Sequence, residues 1–132
     1  PQYLARYRLA DLFLDTHPYN AGTTASDALK MGLPMLTMIG QSYQARMGAS
    51  ILTSINLPEL ITNTSEEYES LAIELATNPE KLKIIKDKLA SNLSTAALYD
   101  TKLFTKNLES AYTMIYERHH QGLDPDHIYV KH

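Results

Sequence analysis

The chain contains no cysteine, so neither a disulfide framework nor a thiolate zinc site is available to it. It also lacks an excess of positive charge: the net charge is −3, and its basic residues are scattered, which leaves no electrostatic footprint for nucleic acid. No apolar run approaches the roughly 18 to 20 residues of a membrane span, and no signal peptide is visible. The sequence therefore predicts a soluble, cytoplasmic protein without a membrane partner. Internal repeats and low-complexity segments are absent as well. The chain begins at Pro1 rather than at an initiator Met, and its first strand arrives by residue 12 with no obvious upstream partner, which leads to the expectation of a piece of a longer protein. Its 132 residues suffice for one domain with a moderate core.

What is present is a strand, turn, helix and strand between Asp11 and Gly40. Leu12, Phe13 and Leu14 form a short apolar run, the pattern of a strand buried on both faces in a parallel sheet. Thr16 to Ala21 brings turn chemistry with Pro18 and Asn20, followed by Gly22. Thr24 opens T-x-x-D, a capping-box variant closed by Asp27, and predicts a helix start near Thr24. Gly32 is a helix stop, and Pro34 precedes a second apolar run, Met35 to Ile39. The sum is a βαβ unit. At its first joint, Gly22-Thr23-Thr24 would set unpartnered amides, a helix dipole and two hydroxyls around an anion, while Asp27, one turn on, could accept bonds from sugar hydroxyls. The same spacing is also an ordinary helix start signal.

Ahead of this unit, Pro1 to Ala10 reads as a short helix in which Tyr3 and Arg6 share a face. That pair suits a nucleobase, or equally a half-buried ring beside a solvated cation. Beyond it, Ser42 reads as a cap and Tyr43 to Ile55 as a helix whose one charge is Arg46. A ligand phosphate, a salt bridge and plain exposure all stay open for Arg46. Leu57 to Ile61 is a short strand or an extended link. Thr64 or Ser65 starts a helix with the stripe Tyr68, Leu71, Ala72 and Leu75. Asn78-Pro79 starts another, with Leu82, Ile85 and Leu89 inward and Lys81, Lys83, Lys86 and Lys88 on a solvated face. A last helix, Thr101 to His119, has Phe104, Leu108, Ala111 and Ile115 on one stripe. His119, His120 and His127 have no i, i+4 partner, so no metal site is predicted.

The segment LADLFLDTHPYNAGTTASDAL, followed by GLPMLTMIGQSYQARMGASIL, resembles the carboxyl-terminal part of the protein O-linked N-acetylglucosamine transferase family, with its bacterial members and plant SPINDLY-type relatives. The resemblance continues through EEYESLAIELATNPEKL, the YDTKLFTKNLESAYTMIYERH helix and the GLDPDH tail, and so covers essentially the whole chain.

The resemblance implies a GT-B glycosyltransferase of two Rossmann-like domains, commonly preceded by tetratricopeptide repeats that recruit protein acceptors. Residues 1–132 would be the carboxyl-terminal part of the second, donor-binding domain. The fold expected is α/β: half of a Rossmann-like nucleotide-sugar-binding domain, with a short parallel sheet and helices, followed by carboxyl-terminal helices. By position, Tyr3 stands against the uracil with Arg6 beside it, Thr23 and Thr24 match paired threonines on the donor diphosphate, and Asp27 matches an acid near the ribose. Arg46 and Ser50 match a recurrent Arg-x-x-x-Ser without an assigned role. Many members carry His where this chain has Gly22, whereas SPINDLY-like sequences, which use GDP-fucose, also have Gly. UDP-N-acetylglucosamine is the first donor expected and GDP-fucose the second. The implied chemistry is an inverting attack by a Ser or Thr hydroxyl, with no metal and no cofactor. No residue of this chain is placed as the catalytic base, so the chain alone is expected to be inactive. A non-catalytic nucleotide-binding or interaction module is the competing class. A half sheet would also leave a free edge and exposed apolar surface, which predicts self-association.

Overall fold

A computed structural model describes residues 2–130. The chain divides into two compact units, Pro1–Leu98 and Tyr99–His132. In the first, α1 (Gln2–Ala5) runs into a 3₁₀ turn, Arg6–Leu9, and then β1 (Phe13–Leu14), α2 (Thr23–Lys30) and β2 (Met35–Met38) follow. A 3₁₀ turn at Gln44–Arg46 leads into α3 (Met47–Ser54), and a second at Pro58–Leu60 into β3 (Ile61–Thr62). Two longer helices, α4 (Ser65–Thr77) and α5 (Pro79–Leu93), complete this unit. The second unit is built on α6 (Thr101–His120).

The three strands form a parallel sheet in the order β1-β2-β3. Phe13 stands opposite Met35 and Leu14 opposite Leu36, while Thr37 pairs with Ile61 and Met38 with Thr62. Met35, Leu36 and Thr37 are fully buried, so β2 is the strand covered on both faces. That expectation had been attached to β1, and the structure corrects it. Among the described residues β1 has only β2 beside it, and Leu14 is 54% exposed. An apolar run alone does not tell a central strand from an edge strand.

Side-chain caps start the three longest helices. Thr64 accepts the Glu67 N–H at 3.1 Å and starts α4. Glu67 in turn accepts the Asn63 N–H at 2.8 Å, a reciprocal cap shifted by one residue from the usual box. That backbone hydrogen bond holds the Glu67 carboxyl below its ordinary value. Asn78 accepts the Lys81 N–H at 3.0 Å, with Pro79 as the first residue of α5. Gly32, at φ +82°, ends α2. Its N–H donates to the Leu29 carbonyl and the Leu33 N–H to that of Ala28, each at 2.9 Å, which is the Schellman pattern.

Leu75 of α4 and Ile85 and Leu89 of α5 are buried with Leu52, Ile55, Leu57 and Leu60, each side chain contributing about 1.5–3 kcal/mol. The α5 lysines do not form a purely solvated face. Lys86 reaches Asp11 and Lys88 reaches Glu59, each at 2.7 Å, and Lys81 pairs with Glu74 at 2.6 Å. Long apolar stems let these side chains lie along the surface before the charge meets its partner. In the segment Leu57 to Ile61, Pro58 opens a 3₁₀ turn and only Ile61 enters β3.

Within the second unit, Asp100 caps α6 by accepting the Leu103 N–H at 2.9 Å. The stripe of Phe104, Leu108, Ala111 and Ile115 is largely open: Phe104 is 63% exposed, and Leu108 and Ile115 are also exposed. The tail returns to the helix, where the Arg118 side chain donates to the Asp124 carbonyl and pairs with Asp126 at 3.6 Å. No helix among the described residues is long and apolar enough to cross a membrane.

Candidate functional site

In a parallel sheet, ligands gather beyond the carboxyl ends of the strands. Here that end is occupied by the loop from Asp15 to Gly22 and by the start of α2. Asp15 follows Leu14 directly and turns its carboxylate inward, leaving 6% of the residue exposed. One carboxylate oxygen accepts the N–H groups of Thr16 at 2.9 Å and Ala21 at 2.8 Å, and the other accepts the Thr37 hydroxyl at 2.6 Å. Asn20, also buried, donates to the Thr16 carbonyl at 2.8 Å and accepts the Gly48 N–H of α3 at 3.3 Å. The backbone N–H of Asn20 donates to the Gln44 carbonyl at 3.2 Å. Tyr68 of α4 donates its hydroxyl to the Asp15 carbonyl at 2.9 Å. Burial, and then the Asp15 charge, push the Tyr68 phenol above its ordinary value. Glycine is required at 48, because a Cβ there would run into both the Thr37 side chain and the Asp15 carboxylate.

The helix that follows is capped two residues earlier than its T-x-x-D pattern suggests. Gly22 is the N-cap, so Thr24 lies inside the first turn and does not cap, and Asp27 does not close a box with it. The backbone takes cap geometry at Gly22, two residues before Thr24, so the Thr24 hydroxyl is not placed to cap. Gly22 has no side chain to offer the first amides. These N–H groups lie beyond the i→i−4 ladder and carry the positive end of the helix dipole. Thr23 and Thr24 are exposed beside them. Asp27, one turn on, is half-buried. A Cβ at position 22 would lie 4.0 Å from the Met47 side chain, so the start of α3 borders this point.

Tyr3 and Arg6 do not act as an isolated pair. The Tyr3 and Tyr7 hydroxyls are hydrogen-bonded at 2.8 Å, with their rings edge to face at 5.6 Å. The Tyr7 phenol is pushed up to about 12, first by the hydrogen bond with Tyr3, then by burial and by the charge of Asp27, with Arg6 opposing. Tyr7 is therefore within electrostatic reach of both Asp27 and Arg6. Arg46 and Ser50 are exposed on the 3₁₀ turn and on α3. They line a groove of about 680 Å³ together with Ile39, Gln41 and Tyr43. That groove does not include Thr23, Thr24 or Asp27. Sequence reasoning missed Asp15 and Tyr7, and read Asn20 only as a turn residue and Gly48 only as a small residue that permits close packing. The available signals were an acid directly after an apolar strand and a second tyrosine four residues after the first.

The profile of glycosyl transferase family 41 matches residues 2–108. The chain belongs to glycosyl transferase family 41. Among curated members it is 36% identical, over 93% of its length, to a probable UDP-N-acetylglucosamine–peptide N-acetylglucosaminyltransferase SPINDLY of Hordeum vulgare. It is 35% identical over 98% of its length to the corresponding probable enzyme SEC of Arabidopsis thaliana, and 33% identical over 96% to the Caenorhabditis elegans UDP-N-acetylglucosamine–peptide N-acetylglucosaminyltransferase. The chain spans only 11 to 13% of the length of these relatives. A solved mutant of the Thermobaculum terrenum O-GlcNAc transferase superposes with a TM-score of 0.81 at 35% identity, over 87% of this chain and 22% of that one. The family 41 fold expected from the sequence, a short parallel sheet with helices of the GT-B kind, is the fold observed.

Proposed function

We propose that this chain is the carboxyl-terminal part of the donor-binding domain of a protein O-linked sugar transferase. In this reading it holds UDP-N-acetylglucosamine while the sugar passes to a Ser or Thr hydroxyl of a protein recruited by upstream repeats. The observation that carries the reading is the start of α2: glycine at the cap and two exposed threonines in the first turn, at the end of the sheet where nucleotides bind. Thr23, Thr24 and the first amides take the diphosphate, Asp27 meets the ribose, and Tyr3 and Arg6 flank the base. Departure of a charged nucleoside diphosphate is the costly event in an inverting transfer, and fixed N–H groups aimed at it lower that barrier without a metal. The catalytic base belongs to other parts of the protein, so this chain alone is inactive. The cytoplasm is its place of work, and its free sheet edge makes the isolated chain self-associate.

One observation favours a second donor. Gly22 presents no imidazole to the diphosphate, as in SPINDLY-like sequences, and this suits GDP-fucose. The test is an NMR titration of the chain with UDP and, separately, GDP. Amide shifts at Gly22 to Asp27 and near Tyr3 with UDP are expected. A preference for GDP moves the donor to fucose, and silence with both nucleotides removes the site assignment for the isolated chain.

A further inference from the structure

We propose that Asp15 is a positioning residue for the nucleotide phosphates: it touches no ligand and instead fixes the amides that do. The inference rests on the reading of the α2 start as the phosphate site. Gly22 leaves α2 without a side-chain cap, and within the helix the Ser26 N–H donates to the Gly22 carbonyl at 3.1 Å. The chain entering α2 is held from outside the helix. Asp15 accepts the Ala21 N–H, the last backbone donor before Gly22, and the Thr16 N–H on the same oxygen. A single carboxylate thus closes the loop from both ends. Its second oxygen is held by Thr37 of the central strand, whose carbonyl accepts the Thr62 hydroxyl at 3.0 Å. Asn20 braces the same loop against Gly48 of α3. The start of α2 is therefore fastened to β2 and α3 by side chains, through a loop too irregular to be fixed by sheet hydrogen bonds.

Geometry and charge make opposite demands here. A buried carboxylate behind a phosphate site repels an anion, so its use there follows from its capacity to accept three hydrogen bonds at once, which a hydroxyl or an amide does less well. Asp15→Asn retains an acceptor for Thr16 and Ala21 and can donate to Thr37, and it removes the charge. Asp15→Ala leaves two N–H groups and a hydroxyl without their acceptor.

The experiment is amide hydrogen exchange on the whole chain, followed by UDP titration, for wild type, Asp15→Ala, Asp15→Asn and Thr37→Val. The expected result for Asp15→Ala is faster exchange confined to residues 16–25, with Leu52 and Leu89 unchanged, and a loss of about tenfold in UDP affinity, the worth of one unmade buried hydrogen bond. Asp15→Asn should restore both to within about threefold. Thr37→Val, which keeps the side-chain shape and removes one partner, supplies an intermediate case should Asp15→Ala fail to fold. Uniform acceleration across the core in all variants, or an Asp15→Ala protein with unaltered exchange at 16–25, would overturn the proposal. If wild type itself does not bind UDP, the donor reading fails, while the exchange pattern still decides whether Asp15 holds the loop.

Discussion

The Tyr68 hydroxyl joins α4 to the end of β1, and its proton is held more tightly in the folded protein than in the unfolded chain because the ring is half-buried beside Asp15. A phenol raised in the folded state stabilises the fold fully at pH values below its unfolded value, and that contribution is lost as pH rises through the raised folded value. The affected window lies above about pH 10. Tyr68→Phe should therefore cost about 1 kcal/mol at neutral pH, the net worth of its hydrogen bond, and should flatten the alkaline fall in stability relative to wild type. Denaturant unfolding at about pH 7.5 and about pH 10.5 checks both parts. An alkaline limb of unchanged steepness would assign that limb to other tyrosines. At this scale the sequence was only partly readable. Tyr68 belongs to a visible apolar stripe, but no periodicity reveals that its hydroxyl meets a carbonyl 53 positions earlier in the chain.

Among the helices, α4, α5 and α6 are closed by Thr64, Asn78 and Asp100, whereas α2 starts on glycine. Thr23 and Thr24 cap nothing, so replacing both with Val should change stability by no more than about 0.5 kcal/mol. The same change should weaken UDP binding about tenfold or more if their hydroxyls hold the diphosphate. A large loss of stability with intact binding would make them structural residues instead. The pair of measurements separates two meanings of a hydroxyl at a helix start. Helices and turns were legible because caps, Gly32 and Pro79 act locally. The cap of α2 was misplaced by two residues because T-x-x-D spacing does not show which residue takes the cap conformation. The burial of β1 was misjudged for a related reason, since strand order is a property of the sheet and not of three apolar residues.

For the whole molecule, the first unit is held by a small sheet whose longest strand is Met35–Met38. Helices on that sheet supply most of the apolar burial. Among the described residues β1 has a strand on one side only, with Leu14 exposed along it. Such an edge is a template for pairing with another chain. Sedimentation of the isolated chain should show mass rising with concentration, and Leu14→Lys should return it toward monomer by placing a charge on the edge. A single monomeric species for wild type at high concentration would count against edge pairing. The ion pairs of Lys86 with Asp11 and Lys88 with Glu59 are partly exposed and contribute about 0–1 kcal/mol each, so added salt should alter this association little. The family resemblance was legible over the entire chain because it depends on many positions at once, whereas individual site roles depend on few.

Asp15, Thr37 and Gly48 meet so closely that a side chain cannot be added at 48 while the other two stay as they are. In a library randomised at these positions, survivors should be correlated rather than independent. A residue larger than glycine at 48 should appear only beside a shorter side chain at 15 or 37, and the route to it should pass through the shortened variant first. Neutral drift at position 48 is thereby ordered by shape before selection on nucleotide binding begins.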